Sequence, residues 1–325
     1  MPRLQTPARR GFTPNPQRSM HSGPMTIAAP PLRFQDVLRN AQLPAMPQSA
    51  MKLLELSQNP DNGPPEFAVP IEADPGLTCQ VLKFVNSSYF GFSREINSVK
   101  LGITLVGIRT IKNFALWSAL FNLMPNPRCG PIDVKLLWQD SLRRAIFARA
   151  FARLLGMKEA DEVFAAALLQ DMAIPILAKE IPQRYLKLFD KRAAQGRRLS
   201  ELEREEFGWT HAEAAAFICR NWRLPDEFAR LIETHCDIDS LVSEGCKDTG
   251  RLAVAMAALL PGGGDREWGD RQQFLSLFGQ LTAGKGKSAR ELLTQVDNEH
   301  VDFAPSLRTT NPVRRLADHL QPATV

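Results

Sequence analysis

Ala160-Asp161-Glu162-Val163-Phe164-Ala165-Ala166-Ala167-Leu168-Leu169-Gln170-Asp171 is the stretch on which the reading of this chain turns. Apart from the two acids that follow Ala160, residues 160–169 are apolar on every side. A helix that is apolar all round belongs inside a core, packed on other helices. The stretch then ends in a carboxylate, Asp171. A carboxylate left unpaired in apolar surroundings is costly, so Asp171 needs a cation, a donor network or a metal. Buried charges are usually paired. The plain expectation is that Asp171 accepts hydrogen bonds from a helix N-terminus or from an arginine such as Arg143 or Arg144.

Helical signals extend outward from this stretch in both directions. Asp74-Pro75 puts a capping residue before a proline at the first helical position. The helix it starts carries Leu77, Val81, Phe84 and Val85 on one face. A polar turn, Asn86-Ser87-Ser88-Tyr89-Phe90-Gly91, closes it. Further helices are expected over residues 98–107, 108–123 (stopped by Pro125 and Pro127) and 138–155, with Gly156 as the stop. Thr210-x-x-Glu213 is a capping box that opens a helix over 210–222, and Pro225 starts another that ends near His235. No β-type alternation and no βαβ rhythm occur. The expected fold class is therefore all-α and multi-helical. Residues 1–33 are Pro-rich, basic and aperiodic, and are expected to form a disordered tail. A helical domain is expected over 34–260. Pro261-Gly262-Gly263-Gly264-Asp265 reads as a linker to a C-terminal helical extension over 261–325.

Composition narrows the function classes. Apolar residues make up 44% and charged residues 23% of the 325-residue chain, the values of an ordinary globular protein with a sizeable core. The net charge of +5 is too mild to argue for nucleic acid. The basic run Lys191, Arg192, Arg197, Arg198 is followed by Glu201, Glu203, Glu205 and Glu206, which reads as a solvated, mixed-charge connection. The most apolar region, residues 101–124, has Arg109, Lys112 and Asn113 near its middle, so no membrane span is expected. The 5 cysteines are scattered without a CxxC pair, which points to reduced thiols in the cytoplasm rather than zinc clusters or disulfides. Gly284-Lys285-Gly286-Lys287-Ser288 lacks the first glycine of a phosphate loop and no strand precedes it.

Several segments carry a family resemblance in combination. They are Leu43-Pro44-Ala45-Met46-Pro47, Glu72-Ala73-Asp74-Pro75-Gly76-Leu77-Thr78, Phe84-Val85-Asn86-Ser87-Ser88-Tyr89-Phe90-Gly91 and Leu105-Val106-Gly107-Ile108-Arg109. Trp138-Gln139-Asp140-Ser141, Ala167-Leu168-Leu169-Gln170-Asp171, His211-Ala212-Glu213 and Leu224-Pro225 continue the series. Together they closely resemble the HDOD domain, over roughly residues 34–237. The resemblance implies an N-terminal helical half packed on a half related to HD-type metal phosphohydrolases. In active relatives a histidine follows the Trp, a His-Asp pair ends the buried helix and a later Asp completes the metal site.

This chain departs from that pattern at most positions. Asp140 stands for the first histidine, Gln170 for the His of the pair, and Met256 falls where the late Asp is expected; Asp171 survives. A neutral amide is a poor ligand and a thioether suits soft metals, so the hard ions of phosphate chemistry lose their shell. His211 and His235 match family positions. A helix-start role explains His211, and the helix C-terminal dipole suits His235. Asp140 and Arg144 are spaced for an i,i+4 ion pair. The expectation is a non-catalytic bacterial signal-transduction regulator with a degenerate site, no cofactor and no metal. It would act through a signalling-protein partner, with Asn86, Ser87, Tyr89 and Arg109 as candidate docking residues. The rivals are a remodelled phosphohydrolase using Asp140, Asp171, His211 and His235, and a sensor that binds a nucleotide without turnover through Arg143 and Arg144.

Overall fold

A computed structural model describes residues 32–41, 43–127, 133–158, 160–265, 267–304, 312 and 314–320. Residues 1–31 of the expected basic tail lie outside the described residues, whereas Leu32 and Arg33 lead directly into the first helix. Among those described, every regular element is helical, and no helix is long and apolar enough to cross a membrane.

The N-terminal half consists of α1 (Phe34–Asn40), α2 (Gln48–Leu56), α3 (Pro64–Glu72), α4 (Pro75–Val85), α5 (Val99–Val106) and α6 (Ile108–Phe121). Asp74 caps α4 by accepting from the Leu77 N–H at 3.0 Å, and Ser98 caps α5 through the Leu101 N–H. Between α5 and α6 the chain reverses at Gly107, whose φ of +99° disfavours any side chain. Phe84 of α4 stacks on Phe114 of α6 with ring centroids 3.9 Å apart.

The second half begins with α7 (Val134–Leu154) and α8 (Asp161–Leu169). Helix α7 starts one turn before the expected Trp138, because the Asp133 carboxylate accepts from the Lys135 and Leu136 N–H groups. It is the central element, packed on α8, on α15 (Thr249–Ala258) and on α17 (Ala289–Phe303). As its sequence demands, α8 buries every residue from Val163 to Leu169, and only its acidic first turn reaches the surface. Helices α9 (Ala173–Glu180), α10 (Pro182–Gln195), α11 (Leu199–Phe207), α12 (His211–Asn221), α13 (Asp226–Glu233) and α14 (Ile238–Ser243) complete this half. Two indole donors tie the segments flanking α1 to it: Trp209 Nε1 donates to Leu32 O at 2.6 Å and Trp222 Nε1 to Pro44 O at 3.2 Å.

The segment read as a linker lies against α7. The Gly263 N–H donates to Asp140 Oδ1 at 2.8 Å, and the Gly262 N–H donates to Asp265 Oδ2 at 2.8 Å. The approach is close: a Cβ on Gly263 would stand 2.7 Å from Leu136 Cδ1. Helix α16 (Arg271–Leu281) then seats Phe274 and Phe278 on Phe147 and Phe151 of α7, each pair at 5.6 Å. Phe303 of α17 packs on Phe84 and Tyr89, and Glu299 accepts from Arg149 at 3.0 Å. Each such phenyl ring contributes about 1.5–3 kcal/mol by leaving water, so the C-terminal helices are part of the core.

Candidate functional site

Asp171 lies just past the buried end of α8, with 3% of its surface exposed. Its neighbours come from α7, from the start of α12 and from the turn that follows α13. Arg144 of α7 donates to its Oδ2, which meets the requirement read from the sequence. On the other side, Asp171 Oδ1 is 3.3 Å from His211 Nε2 and 3.7 Å from His235 Nε2. His211 opens α12 and His235 follows the end of α13. The two Nε2 atoms are 3.2 Å apart. Cys236 closes the group, its Sγ 3.4 Å from His235 Nε2 and 3.7 Å from His211 Nε2.

The ring orientations are set from behind. His211 Nδ1 is 2.6 Å from Glu203 Oε2, which also accepts the His211 backbone N–H at 2.9 Å. The other Glu203 oxygen accepts from the Tyr185 hydroxyl at 2.5 Å. His235 Nδ1 is 2.7 Å from Ile232 O, so a carbonyl in the last turn of α13 aims this ring. The capping box of α12 is formed by Thr210 and Glu213, as the sequence indicates, while the His211 ring turns inward.

Electrostatics follow from this packing. Burial would raise the Asp171 carboxyl, but the Arg144 guanidinium and hydrogen bonds from the two histidines outweigh it and hold the group well below the usual carboxylate range. Burial works against a charged His211, yet Glu203 and the Cys236 sulfur raise it well above an ordinary imidazole. His235 rises to about 9 against burial, through Cys236 and Asp171. Burial would raise the Cys236 thiol, but the flanking imidazoles bring it down to about 6. The group therefore stores charge of both signs in a buried space.

The other residues singled out in the sequence stand elsewhere. Gln170 is fully buried, and neither atom of its amide has a hydrogen-bond partner among the described residues. Asp140 does not form the expected i,i+4 pair with Arg144. That guanidinium turns to Asp171, and the nearest cation to Asp140 is Arg143 at 3.8 Å. Burial pushes the Asp140 carboxyl up to about 6, against the pull of Arg144 and Arg143. Met256 lies fully buried within the apolar core on α15. As phosphate contacts, Arg143 and Arg144 are poorly placed: the first is 2% exposed and the second is held by Asp171.

The candidate docking residues are largely structural. Asn86 is tied through its amide to the backbone N–H and C=O of Ile96 at 2.7 Å each. Ser87 is buried and donates to Phe84 O, and Tyr89 leans on Phe303 and Arg149. Arg109 is exposed, 4.0 Å from Glu162.

Sequence reasoning missed two members of the site. Glu203 was grouped with a solvated acidic run, but it is wholly buried behind His211. Its signal is the spacing of α11: Leu202, Glu203 and Phe207 form the buried face, while Glu201, Glu205 and Glu206 stay outside it. Cys236 was weighed for paired-cysteine spacing alone. The adjacent His235-Cys236 dipeptide was the available signal.

The HDOD domain model matches residues 43–238, more than half of the chain. An uncharacterised protein of Treponema pallidum (strain Nichols) is 25% identical over 195 residues, which is 58% of this chain and 37% of that protein. The matched part thus spans little more than a third of that relative's length. Among solved structures, an HDOD domain protein of unknown function from Geobacter sulfurreducens superposes with a TM-score of 0.66 at 19% identity, covering 85% of this chain and 97% of that one. A Shewanella amazonensis SB2B protein provisionally titled a phosphohydrolase gives 0.62 at 18% identity, over 88% and 98%. A Marinobacter aquaeolei VT8 protein provisionally titled a signal transduction protein gives 0.58 at 20%, over 81% and 65%. At these identities the likeness is one of fold.

Proposed function

The chain belongs to the HDOD domain family, and from that premise we propose that it is a non-catalytic, cytoplasmic regulator of bacterial signal transduction that works by binding another protein. One observation carries the reading: the Arg144 guanidinium is hydrogen-bonded to Asp171 Oδ2. A hydrolytic centre of this kind uses the carboxylate to hold a hard divalent ion and activate a water. Here an organic cation already neutralises that oxygen. The neighbouring position is a Gln whose amide is buried without a partner, and Asp140 is engaged with Gly263 and Arg143.

Partner binding fits the distribution of apolar surface. Met51 of α2, Val69 of α3, and Leu101 and Leu105 of α5 are 51%, 65%, 44% and 49% exposed, on helices that pack α2 on α3 and α3 on α5. Exposed apolar residues gathered on adjoining elements mark interaction surfaces more often than isolated ones do. The test combines two measurements on the full chain. Nucleotides and cyclic dinucleotides incubated with magnesium or manganese should show no turnover. Affinity capture from the native organism should recover a protein that Val69→Asp and Leu101→Asp lose. Turnover that Asp171→Ala abolishes would overturn the reading.

A further inference from the structure

We propose that a small monatomic anion of the chloride type binds in the core against Arg143, His300 and His319, between α7, α17 and the short 3-10 helix Leu316–Leu320.

Helix α7 brings several arginines inward, and Arg144 and Arg149 find acceptors there, in Asp171 and Glu299. Arg143 does not. It is buried, yet Nε, Nη1 and Nη2 all lack a hydrogen-bond partner among the described residues. Asp140 Oδ1 stands 3.8 Å from Nη1, beyond hydrogen-bond reach, and takes the Gly263 N–H instead. The other acids whose charge reaches Arg143 are committed as well. Asp297 accepts from the Leu316 and Ala317 N–H groups at 2.9 and 3.0 Å. Asp265 accepts from Arg192 and from the Gly262 N–H. A buried guanidinium whose donors meet no acceptor is a costly arrangement. Burial accordingly outweighs these carboxylates and lowers Arg143 from its ordinary value.

Two histidine rings share this condition. His300 lies on the buried face of α17 with Val296 and Asp297, and neither of its ring nitrogens has a partner among the described residues. His319 is buried in the 3-10 helix with its Nδ1 unpartnered, its ring edge-on to Trp268 with centroids 6.4 Å apart. Helix α17 packs on both α7 and the 3-10 helix. Burial lowers His300 to about 4, and the Arg143 charge adds to it. Burial, then Arg314 and Arg143, bring His319 to about 4 as well. One guanidinium thus reaches both rings.

Both rings are neutral at neutral pH, so each carries one N–H. Added to the N–H groups of the guanidinium, these donors outnumber the ring lone pairs. Water fits such a surplus poorly, because its own hydrogens need acceptors. An anion accepts from every side, donates nothing and sets a full negative charge beside Arg143, where hydrogen bonds are strongest. Near-complete burial of all three side chains selects the class of anion. A nucleotide phosphate or an organic carboxylate needs an open path for the rest of its molecule, whereas a halide does not. The ion would fasten α17 and the 3-10 helix to α7, making the docking of the C-terminal segment responsive to halide. The inference does not depend on the non-catalytic reading, since halide binding and turnover are measured separately.

The test uses the full chain, prepared without halide in sodium gluconate, whose anion is too large to enter the core. Replacing gluconate by chloride or bromide at constant total salt should raise the melting temperature along a saturating curve. At about ten times the dissociation constant the rise should be about 2–4 °C. Arg143→Met should abolish the rise, and His300→Leu should weaken half-saturation severalfold. Arg39→Gln, at an exposed site on α1, should keep the rise whole. Should Arg143→Met fold poorly, crystals of the parent chain soaked in bromide must show an anomalous peak at the bromine edge beside the Arg143 guanidinium. A melting temperature indifferent to halide, a rise that Arg143→Met retains, or ordered water alone at Arg143 in the bromide crystals would overturn the proposal.

Discussion

Replacing Arg144 by Met removes the guanidinium that is hydrogen-bonded to the buried Asp171 while keeping most of the alkyl volume. Both groups are largely out of water, with side-chain exposures of 16% and 4%. Breaking such a pair from one side leaves an uncompensated buried charge and costs about 3–5 kcal/mol. Asp171→Asn should cost a similar amount by stranding Arg144. Removing both should cost no more than one of the single changes, because replacing a whole buried pair is often close to neutral. The cycle therefore predicts a coupling of about 3 kcal/mol or more, far above the few tenths expected of independent sites. Urea denaturation gives each value from the midpoint, provided the slope is unchanged. The pH dependence supplies a second check. In the parent the Asp171 carboxyl is held well below its ordinary value, so its stabilisation is present at neutral pH and is lost only as pH falls through that low native value. Without Arg144 the carboxyl takes up a proton at higher pH, so the deficit of Arg144→Met should be largest near neutrality and shrink in acid. Single changes that each cost under about 1 kcal/mol and add without coupling would refute the pairing as the reason for this site's composition.

Three further outcomes are expected. Glu203→Gln should cost about 1–3 kcal/mol, because the buried carboxylate accepts from Tyr185, from the His211 ring and from the His211 backbone; a thermal melt beside the milder Tyr185→Phe should rank the two. Gly263→Ala should destabilise by about 1–3 kcal/mol, since its Cβ would sit 2.7 Å from Leu136 Cδ1, whereas the same change at Gly279, where nothing lies within 4 Å, should not. Burial and nearby Arg143 push His300 down to about 4. The unfolded chain then binds a proton that the folded one refuses as pH falls from about 6.5 toward 4, and about 2–3 kcal/mol should be lost across that window. His300→Leu should flatten that part of the stability profile in a pH-jump denaturation series.

Much of the fold could be read in advance where local chemistry decided the outcome. The Asp74 and Thr210 caps, the helix break at Gly107 and the apolar α8 each act within a few residues, and the structure has them where the spacing puts them. The C-terminal region was harder. Pro261-Gly262-Gly263-Gly264 has the composition of a linker, yet missing side chains also permit close backbone approach, and here Gly263 uses that freedom to reach Asp140. Composition alone cannot separate the two uses of glycine.

The site shows a different limit. Asp171 was legible because one carboxylate beside an apolar run poses an electrostatic problem visible in one dimension. Its solution was only half legible: Arg144 was among the expected partners, but the same side chain was also assigned to Asp140, four residues away on its own helix. Sequence spacing favours that local pair, while burial decides the contest, because an exposed i,i+4 pair is worth about 0.3–0.5 kcal/mol and leaving Asp171 uncompensated would cost several. The same logic places Glu203. Among four acids within six residues of chain, the one on the apolar face of α11 is drawn inside to meet His211 and Tyr185. Charges in a helical core are thus sorted by which of them would be stranded, and long-range partners such as Cys236 emerge only when the ends of α8, α12 and α13 are brought to a single point.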